Sequence, residues 1–216
     1  MNILATIRVM VLPACALAAA VAATWSEAAG RKHVHHAAKP LATALVIAVA
    51  ALAPTPLPAA YKTFVLAGLV LSLLGDVALM FPEKWFTAGL AAFLCAQVLY
   101  ILAFKPGLTH PLPVAVFLPF VLYGLLMYFL LAPGLGPMKP PVFVYIAAIT
   151  TMAGFAAGRF VGLGGTKPLL AFAGAVLFLI SDSVLAYDRF AKKLGPARIL
   201  VLATYFPAQL LIALSI

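Results

Sequence analysis

The sequence predicts an all-α, polytopic membrane protein with eight transmembrane helices. Three observations carry this: 66% of the 216 residues are hydrophobic, only 9% are charged, and breaks of Pro, Gly or charge divide the chain into apolar runs. Those runs are close to the roughly 17 to 25 residues that cross a bilayer as a helix. An ordinary soluble domain carries roughly 25% charged residues, and no water-soluble fold of this length hides so much apolar surface. Lipid offers no partner to a backbone amide, so a spanning segment is a helix or part of a closed barrel. Nothing here alternates polar with apolar side chains as barrel strands do, which leaves helices.

Taken in order, the spans are read as residues 4–25, 40–53, 61–80, 85–104, 113–131, 141–158, 168–187 and 196–214, together one membrane domain over 1–216. Pro40, Pro113, Pro141, Pro168 and Pro196 stand at expected helix starts, where a missing N–H costs nothing and a fixed φ suits the first turn. Pro207 falls inside the last span and is expected to kink it. The first span, with Arg8 before it and Ser26-Glu27-Ala28-Ala29-Gly30 after it, shares features with a secretory signal but is read as a retained helix. Cys15 and Cys95 both sit in apolar runs and read as packing residues rather than a disulfide.

The formal net charge is +9, from 14 Lys and Arg against 5 Asp and Glu. The basic residues are scattered through short breaks, a pattern that suits lipid head groups and topology signals and argues against nucleic acid. Breaks after odd-numbered spans hold Arg31, Lys32, Lys39, Lys84, Lys139, Arg189, Lys192, Lys193 and Arg198, nine cations, and the other side has Arg8, Lys62, Lys105, Arg159 and Lys167, five. The positive-inside rule then puts the odd-numbered loops in the cytoplasm.

Chemistry is expected at two acids. Glu27, Glu83 and Asp188 fall in or beside loops, but Asp76 and Asp182 lie within the third and seventh spans. A charge there costs about 3 kcal/mol on insertion scales and marks a functional site by default. Each is about five residues from its span's C-terminal end, and both spans run the same way, so the carboxyls are expected at one depth, roughly 7 Å below the odd-loop face. Two carboxyls that meet there would leave an acid beside a carboxylate at neutral pH, the pair that general acid and base chemistry needs. Lys39 enters from the same face, as counter-ion, head-group binder or snorkelling cation. Gln97 and Tyr100 share a side of the fourth span, as do Tyr205 and Gln209 in the eighth. Ser72, one turn before Asp76, has a hydroxyl that can donate to the carboxylate or back-bond to its own helix.

No metal or cofactor is expected. His33, His35 and His36 read as one solvated basic loop beside Arg31 and Lys32, and His110 stands alone near the opposite face. There is no Gly-rich phosphate loop, and no serine has a histidine base in prospect.

At these residues the chain resembles the YhhN-type family of eight-helix membrane proteins, whose animal members are lysoplasmalogenases. The likeness rests on Lys39-Pro40-Leu41, on Leu74-Gly75-Asp76-Val77-Ala78-Leu79-Met80 with Gly89-Leu90 and Ala92-Phe93, on Ser181-Asp182-Ser183 with Phe190, and on Thr204-Tyr205-Phe206-Pro207-Ala208-Gln209. The resemblance implies a lysophospholipid substrate. Its vinyl ether bond would be hydrolysed to a fatty aldehyde and a glycerophospho-base, with the family's two intramembrane aspartates at Asp76 and Asp182. Lys39 would hold the substrate phosphate, and Ser72, Gln97, Tyr100, Tyr205 and Gln209 would line the substrate site. The chain departs from the family at Gln97, where a histidine is common, and at Phe206 and Pro207, where a second tyrosine and a leucine are common. The Ala-rich composition suits a bacterial inner membrane. The alternative reading is a proton-coupled transporter, in which Asp76 and Asp182 exchange protons and no bond is cut.

Overall fold

The computed structural model describes residues 10–54, 58–105 and 112–216. The start of the first expected span, Arg8 and His110 lie outside the described residues. Eight α-helices are present among the described residues: α1 Leu12–Ala28, α2 Lys32–Leu52, α3 Ala59–Leu79, α4 Pro82–Phe104, α5 Val114–Leu131, α6 Lys139–Leu163, α7 Thr166–Phe190 and α8 Ala197–Leu214. Seven are long and apolar enough to cross a membrane, and α1 is a shorter apolar helix of 17 residues. The chain is an integral, multi-pass membrane protein.

The largest departure from expectation is α2, which begins at Lys32 rather than at Pro40. Pro40 is interior to the helix. The two turns that precede it run from Lys32 to Lys39, so His33, His35 and His36 occupy helix rather than a loop. His35 turns toward α1, its Nδ1 standing 3.1 Å from the Ala23 carbonyl and 3.6 Å from the Glu27 carboxylate. Helix α6 runs on to Leu163, which carries Arg159 out of its expected loop and into the bundle, with its guanidinium 4.6 Å from the ring centroid of Tyr61. Gly164 and Gly165, with φ of 62° and 79°, then reverse the chain into α7 in a conformation other residues rarely adopt.

Sequential helices pack as neighbours except across α4 and α5, where α4 instead packs on α6. Helix α8 sits centrally and touches α1, α2, α3 and α7. Small residues let these helices approach, as they do where lipid supplies no hydrophobic drive between helices. A Cβ on Gly68 would lie 2.5 Å from the Tyr100 ring, and one on Gly75 would lie 2.6 Å from the Phe93 ring, so α4 aromatics fill the notches that α3 glycines leave. On α7, Gly174 plays the same part against the main chain of α8 at Ala208.

Candidate active site

Asp76 belongs to one buried stripe of α3, Tyr61, Val65, Gly68, Leu69, Ser72, Gly75 and Asp76, whose three- and four-residue steps define a single helix face. That face turns the carboxyl inward, where it is 2% exposed. Thr43 of α2 and Tyr205 of α8 each donate to Asp76 Oδ2 at 2.7 Å. Lys39, one turn before Thr43 on α2, lies 3.4 Å from Asp76 Oδ1 and donates to the Asp76 main-chain carbonyl at 3.3 Å. Lys39 is therefore a counter-ion, buried and directed inward, and not a snorkelling cation.

Asp182 has a different setting. It is half-buried on α7, and accepts hydrogen bonds from the hydroxyl of Tyr145 on α6 and, at 3.4 Å, from Gln97 Nε2 on α4. It lies on the wall of a cleft bounded by α4, α5, α6 and α7 and by Leu79 at the end of α3, otherwise mostly apolar, with Phe86, Leu90, Met127 and Ile149 among its walls. Beside Asp182, Ser183 donates to the Leu179 carbonyl and accepts from Tyr123 OH, both at 2.7 Å, which puts a second polar spot on the same wall.

The two carboxyls are bonded to different side chains and not to each other among the described residues. Phe93 stands between their surroundings. Its ring lines the cleft on one side; on the other it fills the Gly75 notch and meets Tyr205 and Phe178 edge to face, with centroids 5.8 Å and 6.0 Å away. The distances to the helix ends also differ from the five residues expected for each. Asp76 stands three residues short of Leu79, whereas α7 extends to Phe190, eight residues past Asp182.

Lys39, Ser72, Gln97, Tyr100, Tyr205 and Gln209 are all buried, and none of them lines the cleft. They form a polar interior instead. Tyr100 OH donates to Gln209 Oε1 at 2.9 Å, while Tyr205, on the same side of α8, turns to Asp76. Ser72 Oγ makes neither bond expected of it; with Gln97 Oε1 and Gln209 Nε2 it is buried without a hydrogen-bond partner among the described residues. Sequence reasoning missed Thr43, Tyr145, Tyr123 and Ser183. Thr43 had a signal, its four-residue spacing from Lys39 on one helix face. Tyr145, a polar tip inside an apolar run, had a weaker one.

Comparison with known proteins bears on the same region. The chain is 35% identical to Lysoplasmalogenase TMEM86B of Homo sapiens over 161 residues, 72% of this chain and 64% of that protein. It is 40% identical to Lysoplasmalogenase TMEM86B of Rattus norvegicus over 162 residues, 73% of this chain and 64% of that protein. Matches to these animal relatives thus span less than two thirds of their length. The membrane protein YhhN of Escherichia coli O157:H7 is 29% identical over 183 residues, 82% of this chain and 85% of that protein. No solved structure matches the chain. The sequence profile of the YhhN family matches residues 34–216, from the first turn of α2 through α8 and across both aspartate helices, and the chain belongs to that family.

Proposed function

We propose that this protein is a membrane-embedded lysolipid hydrolase that cleaves the vinyl ether bond of a lysoplasmalogen, with Asp182 as the acid. The observation that carries the reading is the setting of Asp182: a half-buried carboxyl, held by two neutral donors, on the wall of a largely apolar cleft. The apolar lining suits hydrocarbon, and Asp182, the one acid among the described lining residues, stands where a proton donor is needed. The names of the animal relatives support the substrate class.

The chemistry follows from the bond. Asp182 gives its proton to the alkene carbon remote from oxygen, and an oxocarbenium ion forms. Water adds to that ion and loses a proton to the Asp182 carboxylate, which restores the acid. The resulting hemiacetal breaks its carbon–oxygen bond to give a fatty aldehyde and the free hydroxyl of the glycerophospho-base. Tyr145 and Gln97 orient the acid. Asp76, partitioned off by Phe93 and paired with Lys39, acts through its field on the developing positive charge rather than by contact. Lys39, Ser72, Tyr100, Tyr205 and Gln209 hold that second carboxylate in place.

The protein works as one domain, and its similarity to the Escherichia coli membrane protein supports a place in a bacterial cytoplasmic membrane. The test is aldehyde release from lysoplasmenylethanolamine by purified protein, for wild type, Asp182→Asn and Asp76→Asn, with and without a chelator. Loss of release in both variants and indifference to chelator is the expected result. A folded wild type that releases no aldehyde would overturn the substrate and favour another lysolipid or a proton-coupled carrier.

A further inference from the structure

Helix α7 presents Leu179, Asp182, Ser183, Ala186 and Phe190 to the cleft. Arg189 follows Asp182 by seven residues, so it returns to within about 20° of the same face and lies roughly 10 Å further along the axis. There its guanidinium sits 4.8 Å from the ring centroid of Phe86. Phe86 lines the cleft from α4 and meets Phe190 edge to face with centroids 5.8 Å apart. Arg189 thus stands where α4 and α7 flank the end of the cleft. It is exposed and, among the described residues, is paired with no carboxylate. The adjacent Asp188 is already engaged by the Leu194 N–H at 2.8 Å and by Lys193 at 3.1 Å.

We propose that Arg189 binds the phosphate of a single-chain phospholipid whose hydrocarbon chain occupies the cleft, and that it thereby sets which bond of the ligand stands at Asp182. The proposal rests on the lysolipid reading above for the reaction, while the binding geometry needs only the cleft and the cation. Six bonds separate the ether-bearing vinyl carbon of a lysoplasmalogen from its phosphorus, roughly 7 Å when extended. A charge-assisted hydrogen bond of about 2.8 Å from guanidinium to phosphate oxygen brings the reach close to the spacing of Asp182 and Arg189. Guanidinium also suits the task, because its planar fork meets phosphate oxygens two at a time. Its seat on the Phe86 face holds it at the cleft while leaving its N–H edges free to turn to the ligand.

The full chain in detergent tests this by calorimetric binding of two inert ligands of equal chain length. One is a saturated 1-O-alkyl lysophosphatidylethanolamine, which has no alkene to protonate, and the other is the phosphate-free 1-O-alkylglycerol. Wild type is expected to prefer the first by about ten-fold, the scale of one hydrogen bond to a charged group. Arg189→Gln should collapse that ratio, Arg189→Lys should restore part of it, and Lys193→Gln, which removes a cation bound to Asp188, should keep it. Inorganic phosphate as competitor should displace the lysolipid poorly, because it lacks the chain. A ratio that survives Arg189→Gln, an equal collapse in Lys193→Gln, or displacement by inorganic phosphate as effective as by the lipid would overturn the proposal. Because neither ligand is cleaved, absence of hydrolysis beside Arg189-dependent binding would remove the reaction and leave this site standing. Hydrolysis without Arg189-dependent binding would do the reverse.

Discussion

Lys39 Nζ stands 3.4 Å from Asp76 Oδ1, so two consecutive helices, α2 and α3, are joined inside the helix bundle by an ion pair. Removing one partner leaves the other charge buried and uncompensated, at a cost of about 3 to 5 kcal/mol. Lys39→Met is therefore expected to lower the thermal unfolding midpoint in detergent markedly, and the double variant Lys39→Met/Asp76→Asn to recover most of that loss. Circular dichroism melts of the three proteins check this. Recovery of stability without recovery of aldehyde release would separate the structural part of Asp76 from its part in the reaction.

Asp182 and Tyr145 should behave differently from that pair. Asp182→Asn removes the proposed proton donor and is expected to lower kcat by about 10²- to 10⁴-fold, the range of general acid catalysis. Tyr145→Phe keeps the acid and removes one of its two orienting donors, so a smaller fall, about ten-fold, is expected. Steady-state aldehyde release at saturating substrate measures both. Equal losses in the two variants would contradict the division of labour.

The glycine notches of α3 make a packing prediction. A methyl group at position 68 or 75 meets the Tyr100 or Phe93 ring at 2.5 Å or 2.6 Å, so the ring or the helix has to shift. Gly68→Ala and Gly75→Ala should each destabilise by about 1 to 3 kcal/mol, the range for overpacked cores. Gly75→Ala should also alter substrate KM, because the ring it displaces is part of the cleft wall. Gly68→Ala, whose neighbour Tyr100 lies away from the cleft, serves as the comparison.

Met127 narrows the cleft from α5. If the cleft takes the hydrocarbon chain as proposed, Met127→Trp should fill it and raise KM more for a long-chain lysoplasmalogen than for a short-chain one. A chain-length series in wild type and variant gives the comparison. An equal rise for all lengths would place the chain elsewhere.

The sequence carried the helical class and the two aspartate helices plainly, because an ionisable group in an apolar run is conspicuous whatever surrounds it. It carried the helix ends less well. Pro40 looked like a start, yet proline's lost N–H is one donor among many in a long helix, and the bond from Lys39 to Asp76 lies in the helix that continues past it. The meeting of the two carboxyls was inferred from equal depth, but depth says nothing of azimuth or of an aromatic between them, and Phe93 is that aromatic. Lys39 and Tyr205 were legible as polar groups near Asp76. Thr43, the third group on that carboxyl, had only its four-residue spacing from Lys39 as a signal, and a threonine in a helix as readily bonds its own backbone. Apart from Asp182 the cleft had little sequence signal, because it is a gap between helices whose lining is mostly ordinary apolar residues.

Helix α5 gives that gap an unusual wall. Leu118, Leu122, Leu126 and Phe129 form an outward row, with Phe129 70% exposed, while Tyr123, Gly124, Met127 and Leu131 face the cleft. In a bilayer that outward row would meet acyl chains, so on the proposed reading the solvent of this protein takes part in setting the width of the cleft. Thickness and lateral pressure of the host bilayer then become variables of the proposed reaction. Rates taken in a micelle and in a native-like lipid disc will differ for the same polypeptide, and most at long acyl tails.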